Sequence, residues 1–312
     1  MWTYRVAGIV LFSLGLAAVA MAETFPPETL VSGIPGDEAT CRSHPNRVWT
    51  VIDGVGDCIR YYAAGLSAGV NPAVVIVVRG DRFVAVDGGR SSDSAVGYDD
   101  NSAEAQQANA EAFSREISLP VIVVARPGLY GSSGNHSLRR RMREMRLMDA
   151  TIAEIRKRTQ IQRTGLTGQS GGGTVAAYVL TQQADLSCVT LTSAELSMRT
   201  VFRTPAASQY DVAHAAVLHD PIDHVAEIQR NMDRNLFVVW SEGDQYSPPE
   251  NQREYVEALR EQGHRVNLIE GEAVGASHHT LDHTGRIITA LCLNGTSAEE
   301  IRDRIQRGRV KG

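Results

Sequence analysis

Arg163-Thr164-Gly165-Leu166-Thr167-Gly168-Gln169-Ser170-Gly171-Gly172-Gly173-Thr174 is the stretch that decides the fold. Residues 163–167 form a short extended run, and residues 174–183 carry Val175, Ala176, Val179 and Leu180 at helical spacing. Between them stands Ser170, flanked by small residues at 168, 171, 172 and 173. A strand, a sharp turn and a helix in that order place the serine hydroxyl above a sheet edge, where it can act as a nucleophile. The five-residue pattern alone is weak in a chain with 28 glycines among 312 residues, so its weight comes from the strand before it and the helix after it.

A serine hydroxyl needs a histidine to take its proton and a carboxylate to orient that histidine. In a parallel sheet built this way the chain order is serine, acid, histidine. The apolar run 236–240 leads into Ser241-Glu242-Gly243-Asp244-Gln245-Tyr246-Ser247-Pro248-Pro249, a strand entering a turn. The next extended run, 266–269, is followed by Gly275-Ala276-Ser277-His278-His279.

These pieces resemble an α/β-hydrolase, and the last third of the chain is similar to the catalytic domain of the prolyl oligopeptidase family. The similarity rests on the serine elbow, on Asp220-Pro221-Ile222-Asp223-His224-Val225, on Asp244 with Pro248 four residues later, and on Gly275 to His278. The resemblance implies a mostly parallel twisted sheet with helices on both faces and little or no cap domain. It also implies a peptidase, with a carboxylesterase of the same fold as the runner-up and a catalytically silent binding protein as the third reading. The large propeller of the full-length family is absent here, so restriction to short peptides does not carry over. The triad implied is Ser170, Asp244 and His278. Glu242 competes with Asp244 and fits the family turn less well. His279 competes with His278, and a one-residue shift in register exchanges them.

An oxyanion hole needs two backbone donors, one after the nucleophile and one after the third strand. Gly171 supplies the first. The apolar run 73–78 ends at Arg79-Gly80-Asp81, so Gly80 and Asp81 are the neighbourhood of the second. Arg79 stands where many relatives have histidine. A second glycine-rich loop, residues 126–136, resembles the loop after the fourth strand of such enzymes, with His136 expected to stabilise it or line the pocket. The loop lacks the lysine and hydroxyl pair of a nucleotide-binding loop.

His278, His279, Asp282 and His283 invite a zinc reading, but no glutamate base lies between His279 and His283, the pair with the required spacing, so neither metal nor cofactor is expected. Apolar residues at 138, 142, 145, 148, 152 and 155 predict a long amphipathic helix over 138–158. Arg139, Arg140, Arg141, Arg143 and Arg146 form its other side, read as a solvated face. A net charge of −5 and the lack of a nucleic-acid motif argue against a nucleic-acid partner, and the resemblance implies a small ester or peptide substrate.

Length and composition suit one catalytic domain over residues 23–312, with room for a short lid between 194 and 235. Residues 1–22 read as a cleavable signal peptide: Arg5, an apolar run over 6–20, then Ala20-Met21-Ala22. This predicts a secreted or periplasmic enzyme without stable membrane insertion. Cys41, Cys58, Cys188 and Cys292 then suggest two disulfides in one of three pairings. Cys41 with Cys58 and Cys188 with Cys292 are preferred, because they staple the segment before the sheet and tie a late strand to the helix over 281–293.

Overall fold

The computed structural model describes residues 23–82, 98, 101–204 and 217–308. The signal-peptide expectation and the middle of the expected lid lie outside these residues. Among the described residues no helix is long and apolar enough to cross a membrane.

Eight strands form one sheet in the order β1-β2-β4-β3-β5-β6-β7-β8. They are β1 (Arg47–Ile52), β2 (Val55–Ala64), β3 (Asn71–Val78), β4 (Val121–Val124), β5 (Ile161–Gln169), β6 (Cys188–Thr192), β7 (Asn235–Trp240) and β8 (Val266–Glu270). From β4 to β8 every pairing is parallel, whereas β1 and β2 add an antiparallel ribbon at one edge. The six strands expected from the sequence are all present. The ribbon was not expected, because its strands carry Asp57 and Arg60 at buried positions and so break the apolar signal. Those charges are matched inside the fold: Asp57 pairs with Arg143 and accepts from Ser133, and Arg60 pairs with Glu23.

Strand alternation divides the core in two, as a period of two requires. Val74, Ile76 and Val78 face one side, where they meet α2 (Met142–Arg158), α3 (Gly171–Gln182) and α4 (Pro249–Glu261). Val75 and Val77 face the other, covered by α1 (Ala103–Ile117), α5 (Asp282–Leu293) and α6 (Ala298–Gln306). Cys41 is bonded to Cys58 and Cys188 to Cys292, the preferred pairing. The second bond fixes β6 to the end of α5.

The expectation of one helix over 138–158 with a solvated basic face needs correction. Residues 136–138 form a single 3₁₀ turn, and the α-helix begins at Met142. Arg140 lies between them at φ 62° and is buried. Its guanidinium bonds Asp81 at 2.6 Å and Glu195 at 3.0 Å, and Arg139 bonds Asp81 at 2.9 Å. Ion pairing inside the fold therefore overrides helical continuity, and Leu138 and Met142, expected inward, are exposed. Arg143 and Arg146 do lie on the helix, paired with Asp57 and Asp53.

Candidate active site

Ser170 follows β5 at φ 55° and ψ −130°, a backbone state that L-residues adopt only where the surroundings enforce it. The enforcement is close backbone packing. A Cβ at Gly168 would stand 2.2 Å from the Gly172 carbonyl oxygen, and one at Gly172 would stand 2.3 Å from the Val78 carbonyl oxygen. Side chains at either position would push α3 off the strand. The Ser170 amide donates to the Thr192 carbonyl at 2.9 Å, locking the turn against β6.

Asp244 follows β7 and is buried, its carboxylate accepting from the amides of Tyr246 (3.0 Å) and Ser247 (2.9 Å). The imidazole that meets it belongs to His279, whose Nδ1 lies 2.9 and 3.1 Å from the two carboxylate oxygens. His278, the histidine preferred from the sequence, is exposed and does not make this contact. The physical reason lies in the loop. Val274 and Thr280 bridge, the His278 amide closes a turn onto the Gly275 carbonyl, and His278 takes φ 51°. That left-handed step turns the chain, so the next residue faces inward. Tyr246 packs edge-on against the His279 ring at 5.2 Å.

Gln169, the residue before the serine, joins the two halves of the site. Its amide nitrogen donates to the His279 carbonyl at 2.7 Å, and its oxygen accepts from the Leu281 amide at 3.1 Å and the Thr192 hydroxyl at 2.8 Å. A second tie runs from the Gln245 amide to the Ser277 carbonyl at 3.0 Å. The histidine loop is thus anchored to both the serine strand and the acid loop. Nothing in the sequence distinguished Gln169, whose importance depends on contacts more than 100 positions away. Among the described residues Ser170 Oγ has no hydrogen-bond partner. Catalytic contacts of this kind often tighten only when substrate is bound.

Gly80 lies directly against the elbow: a Cβ there would stand 3.3 Å from Ser170 Cβ. Gly171 opens α3, where the first amides of a helix have no partner within it. A Cβ on Gly171 would fall 2.0 Å from a carboxylate oxygen of Asp81, so this glycine is required by the acid beneath it. Asp81 is buried under the elbow with Arg126, Arg139 and Arg140 around it. Burial alone would raise its pKa, but Arg140, Arg126 and Arg139 outweigh that and hold the carboxyl well below the usual range. Arg126 is shared with Glu144 at 2.8 Å. Arg79 turns away from this network, its guanidinium over the rings of Phe113 and Tyr130 at 5.9 and 5.5 Å.

His136 is fully enclosed, accepting at Nε2 from the Arg82 amide (3.2 Å) with Nδ1 3.3 Å from the Pro127 carbonyl. Burial and the nearby Arg126 hold its pKa well below normal, consistent with a neutral ring that braces two loops. The zinc reading separates in space, since His279 binds Asp244 while His283 binds Glu116 at 2.7 Å.

No family model and no curated protein matches this sequence. Solved structures do match the fold. The acylaminoacyl peptidase of Pyrococcus horikoshii aligns over 84% of this chain and 41% of its own, with 14% identity and TM-score 0.53. An esterase of Pyrococcus furiosus aligns over 90% of this chain and 98% of its own, with 13% identity and TM-score 0.51. A 2,6-dihydroxy-pseudo-oxynicotine hydrolase aligns over 82% and 69%, with 16% identity and TM-score 0.53. The chain therefore spans about two fifths of the peptidase it matches and nearly the whole esterase. Its fold is that of the α/β-hydrolases.

Proposed function

We propose that this chain is an exported serine hydrolase that cleaves ester or peptide bonds through an acyl-enzyme on Ser170. The observation that carries the reading is the buried Asp244 carboxylate held on His279 Nδ1, presented at the same sheet edge as the strained Ser170. With Nδ1–H donated to Asp244, Nε2 is the free base. It takes the Ser170 proton as Oγ attacks the substrate carbonyl carbon. The amides of Gly171 and of the Gly80–Asp81 turn receive the oxyanion. The imidazolium then gives its proton to the departing amine or alkoxide, and a water activated by the same Nε2 hydrolyses the acyl-serine.

Peptidase activity is favoured on the late-chain resemblance, with carboxylesterase as the second reading because matching folds include named esterases. Two disulfides and the leader-like residues 1–22 support action in an oxidising compartment. A fluorophosphonate probe should label the protein and fail to label Ser170→Ala. Equal labelling of both, or of neither, would remove the proposal. Turnover of aminoacyl arylamides against short p-nitrophenyl esters separates the two activities, and turnover of neither points to a silent scaffold.

A further inference from the structure

Five arginines of the described residues are buried: Arg60, Arg126, Arg140, Arg234 and Arg286. Four of them touch a carboxylate, at 2.6 Å (Glu23), 2.5 Å (Asp81), 2.6 Å (Asp81) and 2.7 Å (Asp282). Arg234 has no carboxylate partner among the described residues. It is 2% exposed, its Nε and Nη1 have no hydrogen-bond partner, and its Nη2 donates to the Gln229 carbonyl. An uncompensated buried cation is strongly unfavourable, so its surroundings should contain what balances it.

Those surroundings are more cationic still. Arg234 lines a small surface cleft together with Arg230, His264 and Arg265. Arg230 donates to the Gln262 carbonyl and Arg265 to the Met232 carbonyl, so neither head is bound to an acid. Asp233, the neighbouring acid in the chain, is exposed and forms no ion pair with them among the described residues. Tyr255, beneath Arg234, has a buried hydroxyl that is also without a partner. The cleft lies at the amino ends of β7 and β8, whereas Ser170, Asp244 and His279 follow carboxyl ends.

The structure assigns this cleft as a binding site for a small tetrahedral oxyanion, of the phosphate or sulfate class, held by Arg234 with Arg230 and Arg265. The exposed Arg265 leaves the Met232 carbonyl to close over the anion, and Arg234 gains the counter-charge that the other buried arginines already have. Guanidinium groups suit such ligands because their N–H groups match two oxygens at once. The site is independent of the hydrolytic reading.

The test is calorimetric titration of the intact oxidised protein with inorganic phosphate, sulfate and acetate at constant ionic strength. Saturable one-site binding of phosphate and sulfate is expected, with acetate at least about tenfold weaker. Arg234→Met should abolish binding. The exposed pair Arg230→Gln with Arg265→Gln, which spares the core, should weaken it at least about tenfold. As a separate readout, the His264 ring is now held low by burial and by Arg234 and Arg230. Its NMR titration should move upward with phosphate bound. No saturable binding by the wild type, or undiminished binding by the double variant, would overturn the assignment.

Discussion

Replacing His279 and His278 one at a time separates the triad geometry from its sequence-based alternative. In the structure His279, not His278, reaches Asp244, at 2.9 and 3.1 Å, and the carboxylate it meets also accepts from two backbone amides on Oδ1. On the proposed mechanism, His279→Ala removes the base for acylation and the acid for departure of the leaving group. Each proton transfer is worth about 10² to 10⁴ in rate. Because one imidazole performs both, kcat/KM falls by at least about 10⁴, or about 5 kcal/mol or more of transition-state stabilisation. His278 is exposed and left-handed, so His278→Ala should change kcat/KM by less than about threefold. His278→Gly should stabilise the fold by about 1 kcal/mol, because glycine takes φ 51° without the Cβ clash. The assays are p-nitrophenyl ester turnover, fluorophosphonate labelling rate and urea unfolding. A collapse of activity in His278→Ala with His279→Ala near wild type would refute the reasoning.

Three further outcomes are expected. Asp81→Asn leaves Arg126 and Arg140 short of counter-charge beneath the elbow; it should cost about 3–5 kcal/mol in denaturant unfolding and slow Ser170 labelling. His219 is buried, with both ring nitrogens unpartnered, and burial with the neighbouring His224 lowers its pKa from 6.5 to about 4. Its unfolded form binds the proton first, so stability present above pH 6.5 is lost as pH falls toward 4, by at most about 3 kcal/mol. His219→Phe should flatten that part of the pH–stability curve, and an unchanged difference between pH 7 and pH 4.5 would exclude the effect. Alanine at both Cys188 and Cys292, which close a separation of 104 residues, should cost up to about 4.7 kcal/mol, against about 3 kcal/mol for the Cys41 and Cys58 pair. Equal losses in urea unfolding would show that chain entropy does not govern these bonds.

The central strands and the serine elbow could be read from the sequence because their signals are local. Residues 73–78 and 236–240 are apolar runs, and the glycines around Ser170 form one continuous motif. What was misread depends on partners distant in the chain. The helix over 142–158 starts late because Arg140 is drawn to Asp81 and Glu195, charges 59 and 55 positions away. His279 rather than His278 meets Asp244 because the left-handed step at His278 is set by the Val274 to Thr280 bridge, which residue types alone do not specify. β1 and β2 escaped notice because their buried charges are neutralised by Glu23 and Arg143.

The floor beneath Ser170 is made of main chain: Gly168 faces the Gly172 carbonyl and Gly172 faces the Val78 carbonyl. Side-chain exchange can remodel a wall of leucines, but it cannot reshape a wall of peptide groups. On the proposed hydrolytic reading, the reaction centre and the substrate preference therefore evolve under different rules in this chain. Selection for a new substrate should accumulate its changes in the loops that follow the strands and leave residues 168–173 untouched, so that variants with altered substrate range inherit the same attacking group in the same place.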